Sequence, residues 1–190
     1  MMKNIKKSKV QRHVPSQNSN KNIKKKNKNE VTKKKEKDVK GGALSRALNA
    51  WVYAIAKTSY LHGIQDVLFR ETENESAYIY FRMRKLKVPK AKNALEACKT
   101  YVELLDKEGF LKKEDFEFHE KNGKVYVTIG GKCPYKVACE MMYRDGIPVV
   151  CARAASFSVA TDLGLGKMYG TVVEKFKPNE KCRVVVELPL

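Results

Sequence analysis

A break in composition at Gly41-Gly42 sets the first limit on what this chain can fold into. Residues 1–40 hold 15 Lys and Arg against 3 Asp and Glu, whereas 41–190 hold 24 against 18. Before the break the apolar positions are scattered, as at Ile5, Val10, Val14, Ile23, Val31 and Val39. So little apolar surface cannot offset the entropy of ordering a chain, and mutual repulsion of the lysines adds to the cost. Residues 1–42 are therefore expected to form a disordered, lysine-rich arm. Residues 43–190 suit a single domain, since a domain takes about 100–200 residues. Most of the net charge of +18 belongs to the arm.

The rest of the sequence excludes several classes. It has no run of roughly 18 apolar residues, so no membrane-spanning helix is indicated. No apolar stretch of signal-peptide type follows the basic start, and a cytoplasmic location is expected. The five cysteines then read as thiols first, and their odd number argues against a complete disulfide framework. Gly164, Gly166 and Gly170 imitate a dinucleotide loop, but they lead into a strand where that fingerprint requires a helix. No Walker-type phosphate loop, paired-carboxylate motif or Gly-x-Ser-x-Gly elbow is present.

Periodicity supplies the elements. Leu44, Leu48, Trp51 and Ile55 fall on one stripe and predict a helix from about Ala43 to Leu61, ended by Gly63. A short helical or irregular stretch at Ile64–Phe69 and a polar connection at Glu71–Glu75 follow. The aromatic and β-branched run Ala77–Met83 reads as a strand. Ala91–Lys107 reads as a second long helix. Alternation on both sides of Asn122-Gly123 predicts a hairpin with strands at 115–120 and 124–130, because both turn residues accept positive φ. A helix is expected from Cys133-Pro134 to about Tyr143, with Pro at the favoured first position. An Ala/Ser-rich helix at 152–163 and strands at Met168–Phe176 and Cys182–Leu188 complete the chain. The fold class expected is α+β, an antiparallel sheet with packed helices, preceded by the disordered basic arm.

Two features bear on chemistry. Lys24, Lys25, Lys26, Lys33, Lys34 and Lys35 give the arm two dense basic clusters. A flexible polycation binds phosphate chains through counterion release, but an arm without aromatic residues cannot stack on bases. The other reading of the same run is a solvating extension. Among the thiols, Cys133 is placed at a helix start between Lys132 and Lys136, which makes it the expected low-pKa cysteine. Cys139, Cys151 and Cys182 sit in apolar runs, where cysteine is often a small buried hydrophobe. No pair has zinc-finger or zinc-ribbon spacing. A catalytic pair would need His62 or His119 to reach Cys133.

The last third has a recognisable order. A hairpin strand ends in Gly-Gly-Lys-Cys133-Pro134-Tyr135, a helix follows, and two strands close the chain with Cys182 just inside the last. This resembles the 4-vinyl-reductase-like, or hydrocarbon-binding, domain family and the related amino-thiazoline-carboxylate hydrolase-like family. Where those domains carry a Gly-Asp step before the late cysteine, this chain has Asn179-Glu180-Lys181. The resemblance spans about residues 115–190. It implies an α+β fold that often dimerises, a small and often apolar ligand, and ligand or metal contact at Cys133 and Cys182. A ligand-binding or sensing domain is thus the leading expectation, with a pocket between the sheet and the helices of Trp51 and Tyr101. A nucleic-acid-associated protein acting through its arm is the second, and a cysteine-dependent enzyme the third. No cofactor is specified, and a homodimer is an open alternative to ordinary core packing of the first helix.

Overall fold

The hairpin at Asn122-Gly123 forms one half of the sheet. In the computed structural model, which describes residues 42–130 and 132–188, β1 (Phe116–Lys121) and β2 (Lys124–Ile129) pair antiparallel. Asn122 and Gly123 take φ of 53° and 71°, as a tight primed turn requires. The closing strands β3 (Gly170–Lys175) and β4 (Cys182–Glu187) also pair antiparallel, and β4 lies against β2. The order is β1-β2-β4-β3. One face carries Val125, Val127, Ile129, Val184 and Val186, all buried, so the alternation read from the sequence becomes a covered face.

Five helices accompany the sheet among the described residues: α1 (42–61), α2 (Gln65–Arg84), α3 (Ala94–Lys107), α4 (Lys136–Arg144) and α5 (Ala152–Leu165). The fold is α+β, as expected, and Leu44–Leu190 form one unit. Helices α3 and α5 join the sheet in the main core. There Tyr101 stacks on Phe81, and Phe157 meets Tyr101, Phe116 and Phe118 edge-on. A second core gathers Val52 and Ala56 of α1, Phe69 of α2, and Ala138, Cys139 and Met142 of α4. No helix of the described residues is long and apolar enough to cross a membrane. The arm lysines Lys24, Lys25, Lys26, Lys33, Lys34 and Lys35 lie outside the described residues.

Several local expectations are corrected. Ala77–Met83 is no strand but the second half of the 20-residue α2. Its aromatics suggested sheet, yet Phe69, Ala77 and Phe81 recur at multiples of four and bury one helical face, while Ile79 and Met83 stay exposed. The Glu71–Glu75 connection is the middle of that helix. In α1 the buried stripe is Asn49, Val52, Ala56 and Ser59, whereas Leu44 and Trp51 are 73% and 72% exposed. The stripe read from sequence is therefore split: Leu48 and Ile55 pack at the edge of the second core while Leu44 and Trp51 face outward, with Asn49 and Ser59 on the inner face. Helix α3 starts at Ala94 and not at Ala91. The Asn93 side chain accepts the Glu96 N–H, and Glu96 accepts the Lys92 N–H, so capping fixes the boundary. Helix α4 starts at Lys136, leaving Cys133-Pro134-Tyr135 in the turn before it.

Candidate functional site

Asn49 builds the turn that carries Cys133. This buried α1 side chain donates to the Pro134 and Ser45 carbonyls and accepts the Ala138 N–H. It thereby caps α4 from another helix, the task that no side chain of the Cys133–Tyr135 turn performs. A second buried amide, Gln65, donates to the Pro148 carbonyl and anchors the segment that enters α5.

Four elements then bring four thiols to one recess. Cys133 comes from the turn, Cys139 from α4, Cys151 from the start of α5 and Cys182 from the start of β4. The β2·β4 pairing sets Cys182 opposite Ile129, four residues before Cys133, which closes the group. The recess measures about 20 Å³, room for about one water. Lys136 and Glu180 also line it. As the side chains stand, no group of three or more His, Cys, Asp or Glu among the described residues could hold a metal ion. Cys98, the fifth thiol, sits apart in the main core, where burial pushes it up to about 12.

The low-pKa thiol is Cys151, not Cys133. Cys151 stands at the N-cap of α5 with no side-chain cap hydrogen bond; the Cys139 thiol, the nearby Ala154 and Arg153 N–H groups and the Arg153 cation are what favour its thiolate. The Cys139 hydrogen bond, followed by those contacts, outweighs complete burial and lowers Cys151 to about 7. Cys139, donating to it, is pushed up. Burial, then the neighbouring Cys151, raises Cys133 to about 11. Burial, then Cys151 and Cys133, raises Cys182 to about 12. Cys133 lies three residues ahead of α4 and meets the Lys136 N–H through its carbonyl, not its thiol.

Cys133 also lines a second, larger cavity of about 240 Å³. Phe110, Leu111, Phe116, Ile129 and Pro134 give it apolar walls, and Arg153 gives it a cation. Lys112, Lys132 and Asp115 stand at its polar side. Arg153 is 1% exposed and lies between two rings, with its guanidinium carbon 5.1 Å from the Phe110 centroid and 5.4 Å from that of Tyr135. Its Nε and Nη2 have no hydrogen-bond partner. No carboxylate among the described residues forms an ion pair with it. Glu73, near Tyr135, is pushed up by burial to about 7 and makes no ion pair with Arg153. Sequence reasoning missed Arg153 altogether; its one signal was a single charged residue opening an Ala/Ser-rich helix.

The remaining expectations sort readily. The pocket expected between the sheet and the Trp51 and Tyr101 helices does not form around those two side chains, since Tyr101 fills the core and Trp51 faces outward; one of several cavities opens beside the Cys133 turn. Cys133 and Cys182 share the small recess, but only Cys133 reaches the larger cavity. No histidine lines either space. His119 sits exposed on β1 opposite Tyr126, and His62 is exposed at the end of α1. Comparison with protein-family models, curated proteins and solved structures finds no match to this chain.

Proposed function

We propose that this chain is a small-molecule-binding or sensing domain that holds its ligand in the cavity beside Cys133. The observation that carries the reading is the make-up of the wall: apolar side chains from three segments around one buried charged group. Ligand sites commonly combine an apolar lining with a few placed polar groups. An apolar cavity of about 150 Å³ is enough to hold benzene, so the volume here suits a molecule of one or two rings. The resemblance to the hydrocarbon-binding domains supports the same position, since it implies ligand contact at Cys133. Native mass spectrometry of the chain purified from its own source tests the proposal. A retained small molecule that is lost when Leu111→Trp fills the cavity is the expected result. A bare chain, together with no ligand-induced rise in melting temperature across a library of small apolar molecules, would remove the reading.

The exposed Leu44, Trp51 and Leu61 support a second proposal, a two-fold dimer through α1. Trp51→Glu then converts a sedimenting dimer into a monomer. A wild-type monomer at high concentration refutes it.

A further inference from the structure

An arginine cannot shed its proton at any ordinary pH, so a buried guanidinium needs a counter-charge or hydrogen-bond acceptors. Arg153 is almost wholly buried, makes no ion pair with a carboxylate among the described residues, and leaves two nitrogens without a hydrogen-bond acceptor. Those two are not an arbitrary pair. Nε and Nη2 lie on one edge of the guanidinium plane, and their N–H bonds run parallel, the fork that grips both oxygens of a carboxylate. The Tyr135 ring and the burial of the side chain hold that plane, with Phe110 as its outer cover. A fork fixed in this way loses little freedom on binding. The thiols leave the fork open: Cys133 and Cys151 lie near the Arg153 charge, but no sulfur is a hydrogen-bond partner of Nε or Nη2.

We propose that the cavity beside Cys133 selects carboxylates, seating the anionic head on the Nε–Nη2 edge of Arg153 and the apolar body against Leu111, Phe116 and Ile129. The inference rests on the ligand-binding reading above and names its ligand class. Both nitrogens are covered in the structure, so the head enters when a covering side chain turns aside. Phe110 is the side chain placed to do so: it stands in the bend after α3, is 42% exposed, and lies against the guanidinium. Lys112 and Lys132, both exposed on the polar side of the cavity, draw an anion toward it. A purely hydrocarbon ligand would leave the buried charge as it is and gain nothing from it.

Calorimetric titration of the full chain with 2-naphthoate and with 2-naphthamide tests this, since the two share their rings and differ in charge. Naphthoate is expected to bind at least about tenfold more tightly than the amide, the difference a charge-assisted hydrogen-bond pair makes. Arg153→Met should erase the preference and Arg153→Lys, which keeps charge without the fork, should retain only part of it. Circular dichroism establishes that each variant is folded, and Arg153→Lys carries the test if the methionine variant does not fold. Equal binding of acid and amide, unchanged in Arg153→Met, would overturn the carboxylate inference while leaving a ligand site. Failure of both probes, with no retained molecule in native mass spectrometry, would overturn both readings. If Arg153→Met raises the thiolate titration midpoint and leaves naphthoate binding intact, the guanidinium serves the cysteines and the inference fails.

Discussion

Both ends of α5 reach into the core, at Arg153 and at Thr161, yet their polar groups fare differently. At the C-terminal end the polar groups of the helix itself have partners. Thr161 donates to the Ser158 carbonyl and accepts the Tyr169 N–H, Tyr78 donates to Asp162, and the Gly166 N–H returns to the Asp162 carbonyl. Gly164 lets α5 approach the Pro89–Ala97 segment, with its carbonyl accepting the Ala91 N–H. At the N-terminal end Arg153 keeps two unmatched donors, and four thiols share a recess with room for one water. A core that is packed and satisfied has nothing left to bind with. The end that is packed but unsatisfied is the one suited to a ligand, so unmet polarity and not burial separates the two.

The largest expected effect lies at the satisfied end. A Cβ on Gly164 would stand 3.2 Å from the Ala97 Cβ and 3.4 Å from that of Ala91. Gly164→Leu adds a whole side chain there and should cost about 3 kcal/mol, a fall of about 10 °C in melting temperature. An unchanged melting curve would mean that this end is less tightly packed than the comparison holds. Thr161→Val comes next. It keeps the shape but strands the Tyr169 N–H, and should cost about 2 kcal/mol by denaturant titration.

Much of the fold could be read from the sequence because its signals are local. Asn122-Gly123, the alternating valines and the long α3 face each act within a few residues, and the hairpin and closing strands stand where those signals put them. Helix α2 could not be read the same way. Tyr78, Tyr80 and Phe81 favour sheet locally, and only packing of Phe69, Ala77 and Phe81 against the rest decides for helix. The site was legible only in part. Cys133 and Cys182 were singled out, but their meeting with Cys139 and Cys151 depends on β4 crossing to β2, a non-local pairing. Asn49 caps another helix, a role that no local signal announces.

A pH series sharpens the contrast at the N-terminal end. Cys151 is lowered to about 7 in the fold and returns to the ordinary thiol range on unfolding. From about pH 7 upward the native chain has lost the Cys151 proton that the unfolded chain still binds, so stability first rises with pH. The sign reverses as the other thiols of the unfolded chain titrate, because Cys133, Cys182 and Cys98 are held protonated in the fold at about 11, 12 and 12 and Cys139 is pushed up as well. The held thiols outnumber Cys151, so stability should peak at about pH 8 in urea titrations, after a rise of less than about 1 kcal/mol. Cys151→Ser should abolish the rise and leave the fall. A rise that survives in Cys151→Ser would place the thiolate on another residue.

The smallest expected change in stability is also the one that separates the two ends most sharply. Arg153→Met removes a buried charge from the unligated chain while keeping a long, flexible side chain between Phe110 and Tyr135. The loss is the cation–π attraction to two rings, about 1–2 kcal/mol in a desolvated setting. Against it stand the desolvation of an unpaired guanidinium, which the variant no longer bears, and the sulfur–aromatic contacts that methionine can make. These terms nearly cancel, so the variant should unfold within about 1 kcal/mol of the parent, or somewhat later. Thr161→Val, at a residue just as deeply buried, should cost more although it deletes no charge. Denaturant titration of both variants side by side decides the matter. A loss above about 2 kcal/mol in Arg153→Met would show that its nitrogens already have partners, the cost typical of breaking a buried pair. The difference between the ends of α5 would then vanish, and with it the reason to look for a ligand at this one.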